Sequence, residues 1–175
     1  MLQFRTATFG AVLLSLVVLH GADLGGVPVL TVCQALHDST RYGGRTVIIV
    51  GRSVGTSEGS WLDEDCGLDL TIEGHKYQTI ISTAYVVSQF APPPMKPQGF
   101  RWDKRLLKTV LSEVKKTTQL PPGARWYAVY GRLETAATRS FVLSDGRTAT
   151  TRGYGHLSGA PAQVVAGKDC WLKLR

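Results

Sequence analysis

A small, mainly β barrel is the fold class that this sequence predicts, and three observations predict it. Two apolar runs rich in β-branched or aromatic residues, RTVIIVGR at 45–52 and RWYAVYGRLE at 125–134, each carry a glycine inside the strand. Shorter extended pieces separated by glycine turns fill much of the remaining chain. One longer amphipathic helix divides them into two groups. With 175 residues, 43% hydrophobic and 19% charged, the chain suits a single domain with its own core and is too apolar to stay disordered.

The N-terminus reads as a secretory signal: Arg5, then an apolar run from Phe9 to Leu19, then Gly21, Ala22, Gly25 and Gly26. That run covers 11 residues, whereas a membrane-spanning helix needs about 20. An uncleaved anchor is therefore the weaker reading. His20 stands where a cleavage site would want a small residue, and no cysteine lies near residue 20 to carry a lipid. The expected layout is a signal at 1–22 and one domain over 28–175, in the periplasm or outside the cell. Removing residues 1–22 takes away one Arg and no acid, so the formal charge falls from +7 to +6. On an exported chain such a surface suits an anionic polymer, a lipid surface or an acidic protein, and export disfavours nucleic acid. The plain alternative is a charge excess that only keeps the protein soluble.

Thr31 and Gln34 stand in capping-box relation, so a short helix is expected from Val32 to about Asp38. Gly43 and Gly44 break the chain before the strand RTVIIVGR, whose two apolar faces imply cover on both sides and whose Gly51 implies a bulge or a sharp coil. VGTSEG reads as a loop and SWLDED as a short strand with its turn. In LDLTIEG, Leu68, Leu70 and Ile72 alternate on one face. Gly74-His75 reads as a hairpin turn and Tyr77 to Val87 as the next extended piece. Four prolines within the nine residues 91–99 force an irregular surface loop over 91–102. Asp103 caps a helix to about Thr118 with Leu106, Leu107, Val110, Leu111 and Val114 on one face and lysines over the rest. RWYAVYGRLE follows, then SFVLSDGR with a turn at Asp145-Gly146, a Gly-rich stretch, and the strand-like AQVV and CWLKL. VIIVGR and YAVYGR share a pattern ending in Gly-Arg, as two barrel strands that bend alike.

Strand, hairpin, strand, helix, strand, strand is the order of the OB-fold, a five-stranded Greek-key barrel with its helix between strands 3 and 4. The residues that carry the resemblance run from Thr31 to Gly74: VCQALHDS, RYGGR, TVIIVGR, EGSWLDEDCG and LDLTIEG. This stretch resembles exported bacterial OB-fold proteins of largely uncharacterised function, the periplasmic bacterial OB-fold type. The proline-rich stretch, the longer helix and the C-terminal tail depart from that pattern. The resemblance implies a fold and a compartment, and no reaction.

An oxidising compartment favours pairing two of the three cysteines. A helix start and a hairpin end can meet across a barrel mouth, which favours Cys33 with Cys66 and leaves a pairing through Cys170 open. An OB barrel binds with the face of its second and third strands and the nearby loops, through aromatic and basic side chains. Trp61, His75 and Tyr77 fall on that side, with Arg52 at its edge, although Trp61 also suits a core position beneath the hairpin. In RWYAVYGR, Trp126, Tyr130 and Arg132 share one face and Tyr127, Val129 and Leu133 the other. An inward aliphatic face would leave a Trp-Tyr-Arg stripe toward solvent.

No catalytic residues, cofactor or metal are expected. Asp63, Glu64 and Asp65 lack the spacing of a calcium loop and read as a solvated turn. The three histidines of the mature chain have no ligand spacing, and neither a nucleophile elbow nor a phosphate-binding loop occurs. A binding or interaction module is the expected class. Its rivals are an envelope-associated hydrolase using His75 or His156 with a carboxylate, and a purely structural subunit.

Overall fold

The computed structural model describes residues 22–24, 26–56, 59–67, 70–72, 74–85, 92–118, 123–135, 138–142, 145–152 and 160–175. Residues 1–21 of the signal-like segment 1–22, and His156, therefore lie outside the described residues. β1 (Ala22–Leu24) and β2 (Val27–Thr31) form an antiparallel pair, and α1 (Val32–His37) and α2 (Ser39–Tyr42) follow. The capping box is in place: the Thr31 hydroxyl accepts from the Gln34 N–H at 3.2 Å, and Gln34 Oε1 accepts from the Thr31 N–H at 2.9 Å.

The two long strands, β3 (Thr46–Thr56) and β8 (Arg125–Glu134), pair antiparallel from Thr46 to Ser53. Around the barrel the order is β3, β4 (Gly59–Asp63), β7 (Ile80–Tyr85), β11 (Ala162–Ala166), β8 and back to β3. Only β7 and β11 run parallel there. The result is a mainly β, five-stranded closed barrel of the OB type. β2 lies parallel beside β3, and β12 (Trp171–Leu174) lies antiparallel beside β8.

Two expectations are corrected. LDLTIEG does not enter the barrel: β5 (Leu70–Ile72) pairs with β6 (His75–Tyr77) in a separate two-stranded sheet, and the next extended piece supplies β7. The long helix α3 (Lys104–Thr117) is not between the third and fourth strands in chain order but between the seventh and eighth. The added strands explain the shift, because β1 and β2 precede the barrel and β5 and β6 stand outside it. Among the barrel members alone, α3 separates β7 from β8. A second outlying hairpin, β9 (Thr138–Val142) and β10 (Thr148–Arg152), turns through Gly146 at φ +80° between β8 and β11.

Register and burial identify the inside of the barrel. Val47, Ile49, Leu62, Ile81, Val129, Leu133, Ala162 and Val164 share one face through the successive pairings, and each is fully buried. The alternate positions carry the ion pairs Arg52–Asp63 and Arg132–Glu134, as an outer face does. Part of that outer face is apolar: Ile48, Val50, Trp126, Ala128 and Tyr130 are buried beneath a second layer. That layer is α3, which packs on β2, β3 and β12 with Leu107, Leu111 and Val114, together with Phe100 and Trp102. α3 starts at Asp103, whose carboxylate accepts from the Leu106 N–H at 2.9 Å.

Gly51 marks a change of partner. β3 runs beside β2 through Ile48–Val50 and beside β4 from Arg52, while its ladder with β8 continues unbroken. A Cβ at Gly51 would stand 2.7 Å from Val32 Cγ2, so the glycine makes room for the start of α1. VIIVGR and YAVYGR lie against one another, with Gly51 opposite Tyr127 and Gly131 opposite Val47.

Candidate functional site

Strand alternation places Arg52 and Val54 of β3, Trp61 and Asp63 of β4, and Ile80 and Ser82 of β7 side by side on the outer face. None of these six is buried, in contrast to the β8 half of the same face. Trp61 is half-buried and its ring lies across Gly59, where a Cβ would be 3.3 Å from it. Its indole Nε1 is shielded and has no hydrogen-bond partner among the described residues. Arg52 holds Asp63 through two bonds, Nε to Oδ1 at 2.7 Å and Nη2 to Oδ2. That bond is the main reason the guanidinium stands above its ordinary pKa. A groove of about 530 Å³ opens at this end, between Arg52, Ser53, Val54 and Asp63 on one side and Gly123, Ala124 and Arg125 on the other. Arg125 is exposed and forms no ion pair among the described residues.

The expected site residues divide. Arg52 and Trp61 meet on this face. Trp126 lies opposite Arg52 in the β3–β8 ladder and Tyr130 further along, but both are only 3% exposed, so the stripe they form with Arg132 is not open to solvent. The face of β8 that carries Val129 and Leu133 points inward, and the other face is covered because the proline-rich segment crosses it. The Arg132 Nη1 donates to the Pro92 carbonyl at 3.0 Å, the Tyr130 hydroxyl donates to the Met95 carbonyl at 3.4 Å, and the Phe100 ring meets the Tyr130 ring edge-on. Arg132 also donates to Glu134 at 2.8 Å. Tyr77 sits buried in the β5–β6 hairpin, outside the barrel. His75 lies in the same hairpin, and its side chain is outside the described residues.

Cys33 and Cys66 are bridged, and Cys170 is a buried free thiol. The acidic run beside the bridge is not a solvated turn. Asp63 serves Arg52, Asp65 accepts from the Gly67 N–H at 3.1 Å, and Glu64 is buried. Among the described residues no cluster of His, Cys, Asp or Glu could hold a metal ion. Glu64 Oε2 accepts from the Cys33 N–H at 2.8 Å, which satisfies a free donor in the first turn of α1. Residue spacing gives no hint of this contact, because it spans 31 residues.

Burial pushes the Glu64 carboxyl above its ordinary value, against hydrogen bonds from Cys33, Thr31 and Val32 that favour the anion. In the window between the ordinary and the raised value the folded chain binds more protons than the unfolded one, so stability falls as pH rises through it. The stability advantage of the wild type over Glu64→Gln should therefore grow as pH is lowered from neutrality toward the ordinary carboxylate range. Urea titrations of both proteins at several pH values measure it. A difference that stays constant would rule out a buried, raised Glu64.

Among the described residues no helix is long and apolar enough to cross a membrane. Compared with known proteins, the chain matches no family model, no curated protein and no solved structure.

Proposed function

We propose that this protein is an exported binding module that holds an extended anionic ligand across the outer face of β3, β4 and β7, without a reaction of its own. The observation that carries the proposal is the unequal cover of the barrel. Helix α3 and residues 92–102 seal the β8 side, whereas Val54, Trp61, Ile80 and Ser82 have no such layer over them among the described residues. This is the side on which OB barrels take their ligands. Trp61 offers the exposed part of its ring, and Arg125, exposed at the groove, offers a cation that forms no ion pair among the described residues. Export is supported by the signal-like N-terminus and by the Cys33–Cys66 bridge, which suits an oxidising compartment. The resemblance to periplasmic bacterial OB-fold proteins points the same way.

Chromatography on an immobilised anionic polysaccharide tests the ligand class. Retention should weaken steadily with salt, and Trp61→Ala should reduce affinity about ten-fold. Arg125→Ala should flatten the salt dependence. Retention that ignores both salt and Trp61→Ala would remove the proposal.

A further inference from the structure

A second surface joins apolar area to positive charge. Leu172 and Leu174 stand opposite Ala128 and Trp126 on the outer face of the sheet, and α3 runs alongside with Leu111. Together they floor a cleft of about 380 Å³, within the range of about 300 to 1,000 Å³ typical of small-ligand sites. Lys104 and Lys108 line it from the helix, and Arg175, just after β12, closes its end, while Lys173 borders it from a strand position that alternates to the face opposite Leu172 and Leu174. Lys104, Lys108 and Leu111 follow the i, i+4, i+7 spacing, so both lysines share the helix edge that carries Leu111.

Like charges one turn apart repel, and among the described residues no acidic side chain in the cleft offsets them. No acidic side chain lines it, and none of the four cations forms an ion pair among the described residues. Glu113, the acid within α3, is taken by Lys116 at 2.8 Å. Leu172 and Leu174 remain only half-buried, so the apolar floor is still partly wet. A ligand that relieves both conditions has a hydrocarbon body for the leucines and a negative head for the lysines.

We propose that the cleft between α3 and β12 binds a small amphiphilic anion, an alkyl chain ending in a carboxylate or phosphate. The site uses none of the residues of the β3–β4–β7 face and is independent of the function proposed there. The anion can come from a free amphiphile or from a membrane lipid, and the chemistry at the cleft is the same.

Calorimetric titration of the full chain with decanoate, kept below its micelle-forming concentration, tests the site. Saturable one-to-one binding with a negative heat-capacity change is expected. The double variant Lys104→Gln/Lys108→Gln should weaken it about ten-fold, since two charge-assisted contacts are lost. Decan-1-ol and inorganic phosphate, each with half of the required chemistry, should bind about ten-fold more weakly than decanoate. Trp61→Ala should leave decanoate binding unchanged. Because both lysines are exposed, the double variant should keep the wild-type thermal midpoint, and the single reversal Lys108→Glu provides a second probe of the same charge. Sedimentation with phosphatidylglycerol vesicles, reversed by decanoate, identifies membrane lipid as the source. Decanoate binding without vesicle binding identifies a free amphiphile. Absence of saturable decanoate binding, or equal binding by wild type and both lysine variants, overturns the site.

Discussion

Replacing Cys33 and Cys66 together by Ser should lower the unfolding free energy by about 3 to 4 kcal/mol, the chain-entropy value for a closed loop of this size. The bridge spans 33 residues and encloses α2, β3 and β4, so it ties the start of α1 to the end of the second barrel strand. It also places Glu64 under the Cys33 N–H, and losing that alignment exposes the donors of the first helical turn. Denaturant titration should show wild type in dithiothreitol falling to the level of the double variant, with no effect of reductant on the variant itself. Cys170, a buried free thiol, has no cysteine left to pair with in the double variant. A double variant within about 1 kcal/mol of oxidised wild type would show that the bridge contributes little.

Gly131→Ala should be nearly as damaging, by about 3 kcal/mol, at the upper end of what overpacking costs. The added methyl would lie 2.7 Å from Val164 Cγ2 and 2.7 Å from the Val165 carbonyl oxygen. A side chain can turn aside, but this carbonyl belongs to β11, which is paired with β8 at Val165 and Arg132. The gain from removing a flexible glycine, about 0.4 to 1 kcal/mol, is too small to compensate. Gly55→Ala is the internal control. Its nearest neighbour is the Gly59 carbonyl at 3.8 Å, so stability should stay within about 0.5 kcal/mol of wild type. If the two substitutions prove equally mild, the barrel interior at Gly131 is looser than these contacts require.

Much of the local structure was legible in the residues. Thr31 and Gln34 announce α1, Asp103 and the Leu106–Val114 stripe announce α3, and the runs around Val47 and Val129 announce the paired long strands. Each of these signals acts within a few residues, through a cap, a helical stripe or the intrinsic preference of β-branched side chains. The candidate site was legible only in part. Arg52 and Trp61 share the open face, whereas Trp126 and Tyr130 are covered and Tyr77 lies elsewhere. Arg125 escaped notice because a charged residue at the start of a strand looks like ordinary surface until the groove beside Gly123 is seen.

From the chain alone, then, came the element types, the OB-type barrel, the favoured cysteine pair and the two alternating faces of β8. Only the tertiary structure decided which five strands close, which hairpins stay outside, and which part of the outer face is sealed. The reason is range. Alternation tells which residues share a face, but cover on that face comes from residues 92–102 and α3, which pack on strands distant in sequence, and Glu64 meets its donor across 31 residues of chain.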